Sequence, residues 1–155
     1  MPAKILRLDQ DESKLRENLR LITQTMIEWE VSAAIAAAPY ERRAERRTQR
    51  NGYRQRLWRA RVGEIILHIP KLRKGAYYPA FLDTLPRAEP LLLDLAGDAA
   101  EGRLTAGRLR DASERLGLLA VHPSQIADLL ALLHDLNTRP TFQSIAPVQS
   151  LLMAA

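Results

Sequence analysis

Nine arginines, Arg42, Arg43, Arg46, Arg47, Arg50, Arg54, Arg56, Arg59 and Arg61, stand within twenty consecutive residues, opposed there only by Glu45. Such a stretch cannot be buried, because a guanidinium stays charged and like charges held together repel. The chain must fold with this segment in solvent and build its core from the flanks. The net charge of +5 over 155 residues conceals the asymmetry. Residues 1–40 carry 5 basic and 6 acidic side chains, residues 41–90 carry 13 and 5, and residues 91–155 carry 5 and 7. Eleven of the 13 central cations are arginines, whose planar fork matches phosphate and guanine bidentately where lysine is a point charge. No amphipathic helix with bulky apolar residues accompanies them, as a membrane-surface segment would require. The pattern points to a polyanion, nucleic acid foremost.

The rest of the composition narrows the function class. A length of one domain, with 46% hydrophobic and 26% charged residues, suits a folded globular chain. The absence of cysteine excludes disulfides, cysteine nucleophiles and thiolate zinc sites. No apolar run reaches the length of about 18 residues that a membrane helix needs. Lys4, Arg7, Asp9, Asp11, Glu12 and Lys14 near the start argue against a signal peptide. The expectation is a soluble, intracellular, basic protein. His68, His122 and His134 fit no metal-ligand spacing, and no phosphate-binding glycine loop or nucleophile elbow is present. Asp94 and Asp98 share a helix face, but at i, i+4 such a pair reads as solvated surface. No active site is predicted.

Periodicity predicts a mostly α fold with a small β-hairpin. Residues 13–38 read as a long helix with Ser13 as N-cap and Pro39 as its stop. Leu15, Leu19, Ile22, Met26, Trp29, Ala33 and Ala36 form a heptad seam that either zips two chains together or packs within one. Residues 40–52 lack large aliphatic side chains and read as a linker or a helix extension ordered by a polyanion. From Tyr53 an arginine-rich strand, a turn at Val62-Gly63 and the alternation of Ile65, Leu67 and Ile69 predict a hairpin. Arg54 and Arg56 share one parity, Arg59 and Arg61 the other; a bulge near Leu57-Trp58 would bring all four to one side. Lys71, Arg73 and Lys74 follow in a second basic loop, with Tyr77, Tyr78 and Phe81 beside them as core or as packing for bases.

The last third is predicted as helices from Pro86 to Glu101, from the cap Thr105 to Gly117, and from Pro123 onward with Ile126, Leu129, Leu130, Leu133 and Leu136 inward. The final two resemble a helix-turn-helix with a lengthened turn. The predicted organisation is an N-terminal helical segment (1–39), a basic linker and hairpin (40–85), a helix-turn-helix-like region (86–137) and an irregular tail (138–155).

Four strings carry a family pattern. Arg50-Asn51-Gly52-Tyr53-Arg54, Arg59-Ala60-Arg61-Val62-Gly63-Glu64-Ile65, Ile69-Pro70-Lys71-Leu72-Arg73-Lys74-Gly75 and Tyr78-Pro79-Ala80-Phe81-Leu82 resemble the N-terminal region of Mutator-type insertion-sequence transposases. Glu101 to Arg108, Leu116-Gly117 and Pro123-Ser124-Gln125-Ile126 resemble that family's next segments, so the likeness covers roughly residues 15 to 136. It implies binding of double-stranded DNA at the terminal inverted repeats of a mobile element in a bacterial cell. It further implies strand cleavage by a separate RNase H-like domain, whose Asp-Asp-Glu triad holds two Mg2+ ions. Asp135 is the last carboxylate side chain of this sequence, so the expectation is a truncated or split transposase without catalysis or cofactor of its own.

The family tends to carry Ser-Arg where Ala127 and Asp128 stand here, and Asp128 facing DNA would be repelled by phosphate. Gln125, with Arg108 and Arg110 from the preceding helix, is therefore the expected contact there. Two other readings stand beside DNA binding: a regulator that dimerises through the heptad helix with a full-length transposase and inhibits it, and an RNA-binding fragment.

Overall fold

The computed structural model of the chain describes residues 2–35, 50–72, 85–118 and 121–139. These form helix α1 (Pro2–Ile35), strands β1 (Arg50–Ala60) and β2 (Gly63–Leu72), and helices α2 (Leu85–Ala100), α3 (Ala106–Arg115) and α4 (Pro123–Thr138). The expected mostly α fold with one antiparallel hairpin is thus observed.

Helix α1 is longer than its periodicity predicts. It begins at Pro2, so Ser13 lies inside the helix and caps nothing. Residues 3–12 contain Ala, Lys, Leu, Arg, Gln and Glu and no glycine; these are good helix formers, and proline is tolerated in a first turn. The expected stop at Pro39 lies outside the described residues, as do Ala36 and most of the 40–52 segment.

The seam packs inside the chain. Leu19, Ile22, Met26 and Trp29 are buried, Leu15 packs at the margin, and Ala33 is exposed. Ile27 and Val31 are also fully buried, so α1 buries more than a coiled-coil stripe. Its neighbours are α2, β2 and α4. One hydrophobic cluster joins the seam to Ile65, Leu67 and Ile69 of β2, Leu92 and Leu95 of α2, Leu109 of α3, and Ile126 and Leu129 of α4.

Polar groups specify this packing further. Asn18, fully buried on α1, exchanges hydrogen bonds with Asn137 on α4: Asn18 Nδ2 donates to Asn137 Oδ1 (2.9 Å) and Asn137 Nδ2 donates to Asn18 Oδ1 (2.7 Å). Asn137 Nδ2 also lies 3.2 Å from the Ala99 carbonyl at the end of α2. Three helices therefore meet at one amide pair, and buried amides of this kind are costly unless all their groups are satisfied.

The predicted helix ends of the last third are observed. Thr105 Oγ1 accepts from the Arg108 amide at 3.2 Å. Both α2 and α3 close with a glycine of positive φ, Gly102 at +72° and Gly117 at +86°. The paired return bonds, Arg103 N to Asp98 O with Gly102 N to Ala99 O, and Leu118 N to Ser113 O with Gly117 N to Glu114 O, are those of the Schellman ending. At α4, His122 is the cap and Pro123 the first helical residue.

Two stability predictions follow from this core. Asn18→Ala leaves a partly buried Asn137 amide short of a partner, and is expected to lower unfolding free energy by about 1–3 kcal/mol in urea denaturation. Conversely, Thr23 is fully buried and its Oγ1 has no hydrogen-bond partner among the described residues. Thr23→Val removes that hydroxyl with almost no change of shape, and is expected to raise stability by about 1 kcal/mol in the same measurement.

Candidate nucleic-acid interface

The hairpin is the basic element of the described structure, and its register decides which side chains face outward. Pairing runs unbroken from Tyr53↔Pro70 through Trp58↔Ile65 to Ala60↔Gly63, with Arg61 and Val62 as the turn. The turn therefore falls one residue before the expected Val62-Gly63. The single register shift lies between Arg50 and Tyr53, where Gly52 has φ +78°. No bulge forms at Leu57-Trp58, where one would have gathered the four arginines; the irregularity lies at the base of the hairpin. A glycine in the left-handed region readily takes that extra-residue position, which Leu57 and Trp58 cannot do.

Residues opposite one another share a face of the ribbon, and successive residues alternate. The inner face holds Ile65, Leu67 and Ile69, all buried, opposite Trp58, Arg56 and Arg54. The outer face holds Glu64, Ile66 and His68 opposite Arg59, Leu57 and Gln55, and all six are exposed. Arginines therefore stand on both faces. The arrangement is tolerated because α1 packs on β2, while β1 contributes only Trp58 to the buried core. Arg54 is exposed and Arg56 half-buried beyond that anchor.

Helix α1 clamps the strand from its side. His68 pairs with Gln55 across the ribbon, yet its own N–H donates to Gln24 Oε1 (2.9 Å) and its carbonyl accepts from Gln24 Nε2 (2.8 Å). One side-chain amide thus stands in for a third strand at His68, occupying both of that residue's outward backbone groups. Two turns earlier on the same helix, Arg16 Nε donates to the Val62 carbonyl in the turn at 2.7 Å. The guanidinium passes so close to Gly63 that a Cβ there would lie 2.6 Å from Arg16 Nε, and Gly63 has φ +120°. Only glycine meets both conditions. A third tether runs from the Arg61 amide to Glu89 Oε1 of α2 at 2.8 Å. The ribbon is held at its turn and along one edge.

The other expected contacts are distributed as follows. Arg59, Arg61 and Lys71 are exposed. Arg59 lies 3.8 Å from Glu64, with side chains 82% and 64% exposed; a pair so open to water holds the guanidinium only weakly. Arg50 opens β1. Arg42, Arg43, Arg46, Arg47, Arg73 and Lys74, with Tyr77, Tyr78 and Phe81, lie outside the described residues. On the helices, Arg108 Nε bonds Asp98 Oδ2 at 3.2 Å, and Arg110 is exposed. Gln125 Oε1 accepts from the His122 amide at 2.8 Å in a capping box, a role its spacing from His122 allows but which sequence reading did not assign. Helix α4 contains no lysine or arginine, and its Asp128 and Asp135 are exposed.

Gln24 and the outward trio Gln55, Leu57 and Ile66 were also not anticipated. The parity of Trp58 against Ile65 carries the signal for the trio; nothing local marks Gln24. Among the described residues no three His, Asp or Glu side chains converge to hold a metal ion. No helix among the described residues is long and apolar enough to cross a membrane.

Comparison with known proteins adds a lineage to this geometry. The profile of the family described as "Transposase, Mutator family" matches residues 3–140. The transposase for insertion sequence element IS1081 of Mycobacterium tuberculosis is 33% identical over 114 residues, covering 73% of this chain and 28% of that protein. The transposase for insertion sequence element IS406 of Burkholderia multivorans is 32% identical over 101 residues, covering 64% and 26%. The transposase for insertion sequence element IS256 in transposon Tn4001 of Staphylococcus aureus is 33% identical over 75 residues, covering 48% and 19%. The chain spans between 19% and 28% of the length of these relatives.

The clamp makes a local prediction. Gln24→Ala removes both bonds to His68, and amide hydrogen exchange at His68 is expected to accelerate about tenfold or more. Unchanged exchange there would show that the β2 edge is protected by something other than Gln24.

Proposed function

The chain belongs to the Mutator family of transposases, and from that premise we propose that it is a DNA-binding part of an insertion-sequence transposase, holding the duplex of the element's terminal inverted repeats. The hairpin supports this reading most directly. Between Arg50 and Leu72 it carries six basic residues against Glu64 alone, on a ribbon fastened to the core by Trp58 and the α1 clamp. Cations fixed on a stiff support lose little freedom when they meet phosphates, which is the condition for useful electrostatic binding. The helices carry less of it, since Arg108 is paired with Asp98 and α4 is acidic.

Strand cleavage and transfer belong, on this reading, to parts of the relatives that the present chain does not span. The residues described here bind and position. The seam of α1 is buried in the chain's own core, which favours DNA holding over a regulator acting through that seam.

The test is the salt dependence of binding to a labelled duplex. If about five phosphates are neutralised, log K is expected to fall with log salt at a slope of about −4.5 between about 50 and 200 mM. Arg54→Gln and Arg61→Gln should each flatten that slope by about 1. Binding that ignores salt, or a preference for single-stranded RNA over duplex DNA, would refute the proposal.

A further inference from the structure

The outer face of the hairpin has a composition that phosphate binding does not explain. Leu57 and Ile66 face each other across the strands and are 49% and 47% exposed, and Tyr53 on the same strand is 48% exposed. They are interleaved with Gln55 and Arg59 on β1 and with Glu64 and His68 on β2, Glu64 lying 3.8 Å from Arg59 in a pair so open to water that it holds the guanidinium only weakly. The core takes the opposite face, and α1 borders this one with Arg16, Glu17 and Arg20, which line a cleft with Gln55, Glu64, Ile66 and His68 and leave Tyr53, Leu57 and Arg59 outside it. An apolar cross-strand pair left in water beside an amide and a guanidinium is a surface for something both polar and methyl-bearing.

We propose that this face reads base pairs, with the two-stranded ribbon lying in the major groove of duplex DNA and β1 facing its floor. The inference rests on the DNA-binding reading above and assigns the sequence-reading element within it. Four observations support it. The major groove, about 12 Å wide, admits a two-stranded ribbon whose strands lie about 4.8 Å apart. Side chains at i and i+2 of a strand are about 6.8 Å apart, close to two base-pair steps of about 3.4 Å each. Gln55, Leu57 and Arg59 therefore fall in step with alternate base pairs. Their chemistry covers the groove's code: glutamine pairs with adenine, arginine with guanine, and an aliphatic side chain meets the thymine methyl. Finally, Arg61 at the turn and Lys71 at the base of the ribbon are exposed and suited to phosphates, which position the ribbon without reading sequence.

The alternative reader is the helix pair, and its surface is poorly suited. Gln125 is engaged in the cap of α4, Arg108 is engaged by Asp98, and Asp128 faces solvent from α4. Arg110 is the exposed cation there with which the hairpin must be compared.

The experiment uses the full chain and a duplex enriched by it from a random-sequence pool, against a scrambled duplex of the same composition. Arg59→Lys keeps the charge but loses bidentate guanine contact. It is expected to reduce the preference for the enriched duplex at least about fivefold, leaving affinity for the scrambled duplex within about twofold. Gln55→Ala should do the same at a different base pair. Replacing guanine by 7-deazaguanine removes a major-groove acceptor. It should lower the preference of the unmodified chain and leave that of the Arg59→Lys variant unchanged. Arg110→Lys, the comparison at the helix pair, is expected to cost less of the preference than either hairpin variant. Retained preference in both hairpin variants, or its loss in Arg110→Lys, overturns the assignment in favour of the helices. A chain that binds every duplex alike at the expected salt slope overturns base reading and leaves DNA holding intact. A chain that binds no duplex overturns both.

Discussion

Burial of α1 on more than one side is the constraint on which the other elements depend. Leu19, Ile22 and Met26 are inaccessible to solvent, and so are Asn18, Thr23, Ile27 and Val31. A helix buried so broadly cannot stand alone in water, and each element packed on it covers a different part. The hairpin covers one part through Ile65, Leu67 and Ile69, α2 another through Leu92 and Leu95, and α4 a third. The Asn18–Asn137 exchange then fixes the approach of the first and last described helices, 119 residues apart in sequence. Apolar contacts tolerate sliding; two reciprocal amide bonds do not.

The same helix determines where charge can be displayed. By taking β2 onto its apolar side and bonding His68 through Gln24, α1 leaves β1 as the outlying strand. Repulsion among the arginines is then relieved by water on β1, while β2 supplies the burial that holds the hairpin. A two-stranded ribbon alone is marginal in water. Anchored by Trp58, Arg16 and Gln24, it becomes a stiff platform for cations, and stiffness is what a binding surface needs if ordering is not to offset its contacts.

Where sequence and structure part, the reasons are physical. The amphipathic period of α1 starts at Leu15, yet helix continues back to Pro2, because helix propensity without a breaker extends a helix past its buried face. A bulge at Leu57-Trp58 would gather the arginines, but burial of Trp58 opposite Ile65 sets the register. The one-residue slip that would unite the cations would turn Trp58 out of the core. Gln125 matched a family position and Arg108 a helix surface, yet each already has an intramolecular partner. Such partners lie nearby in space, and periodicity carries no information about them.

Several features were determined by the sequence by itself. Charge density kept Arg54, Arg59 and Arg61 of the hairpin at the surface, alternation made β2 a half-buried strand, and Thr105, Gly102, Gly117 and Pro123 marked helix ends through local backbone chemistry. The motif strings indicated the transposase lineage. Tertiary structure alone decided that the heptad seam is filled by the chain's own strand and helices. It also decided that Gln24 bonds the backbone of His68, and that Tyr53, Gln55, Leu57, Arg59, Glu64, Ile66 and His68 share one face of the ribbon. Periodicity and caps act over a few residues and can be read in order along the chain. Which face of an element is covered depends on partners brought together from far along the chain, and only the packed core settles that.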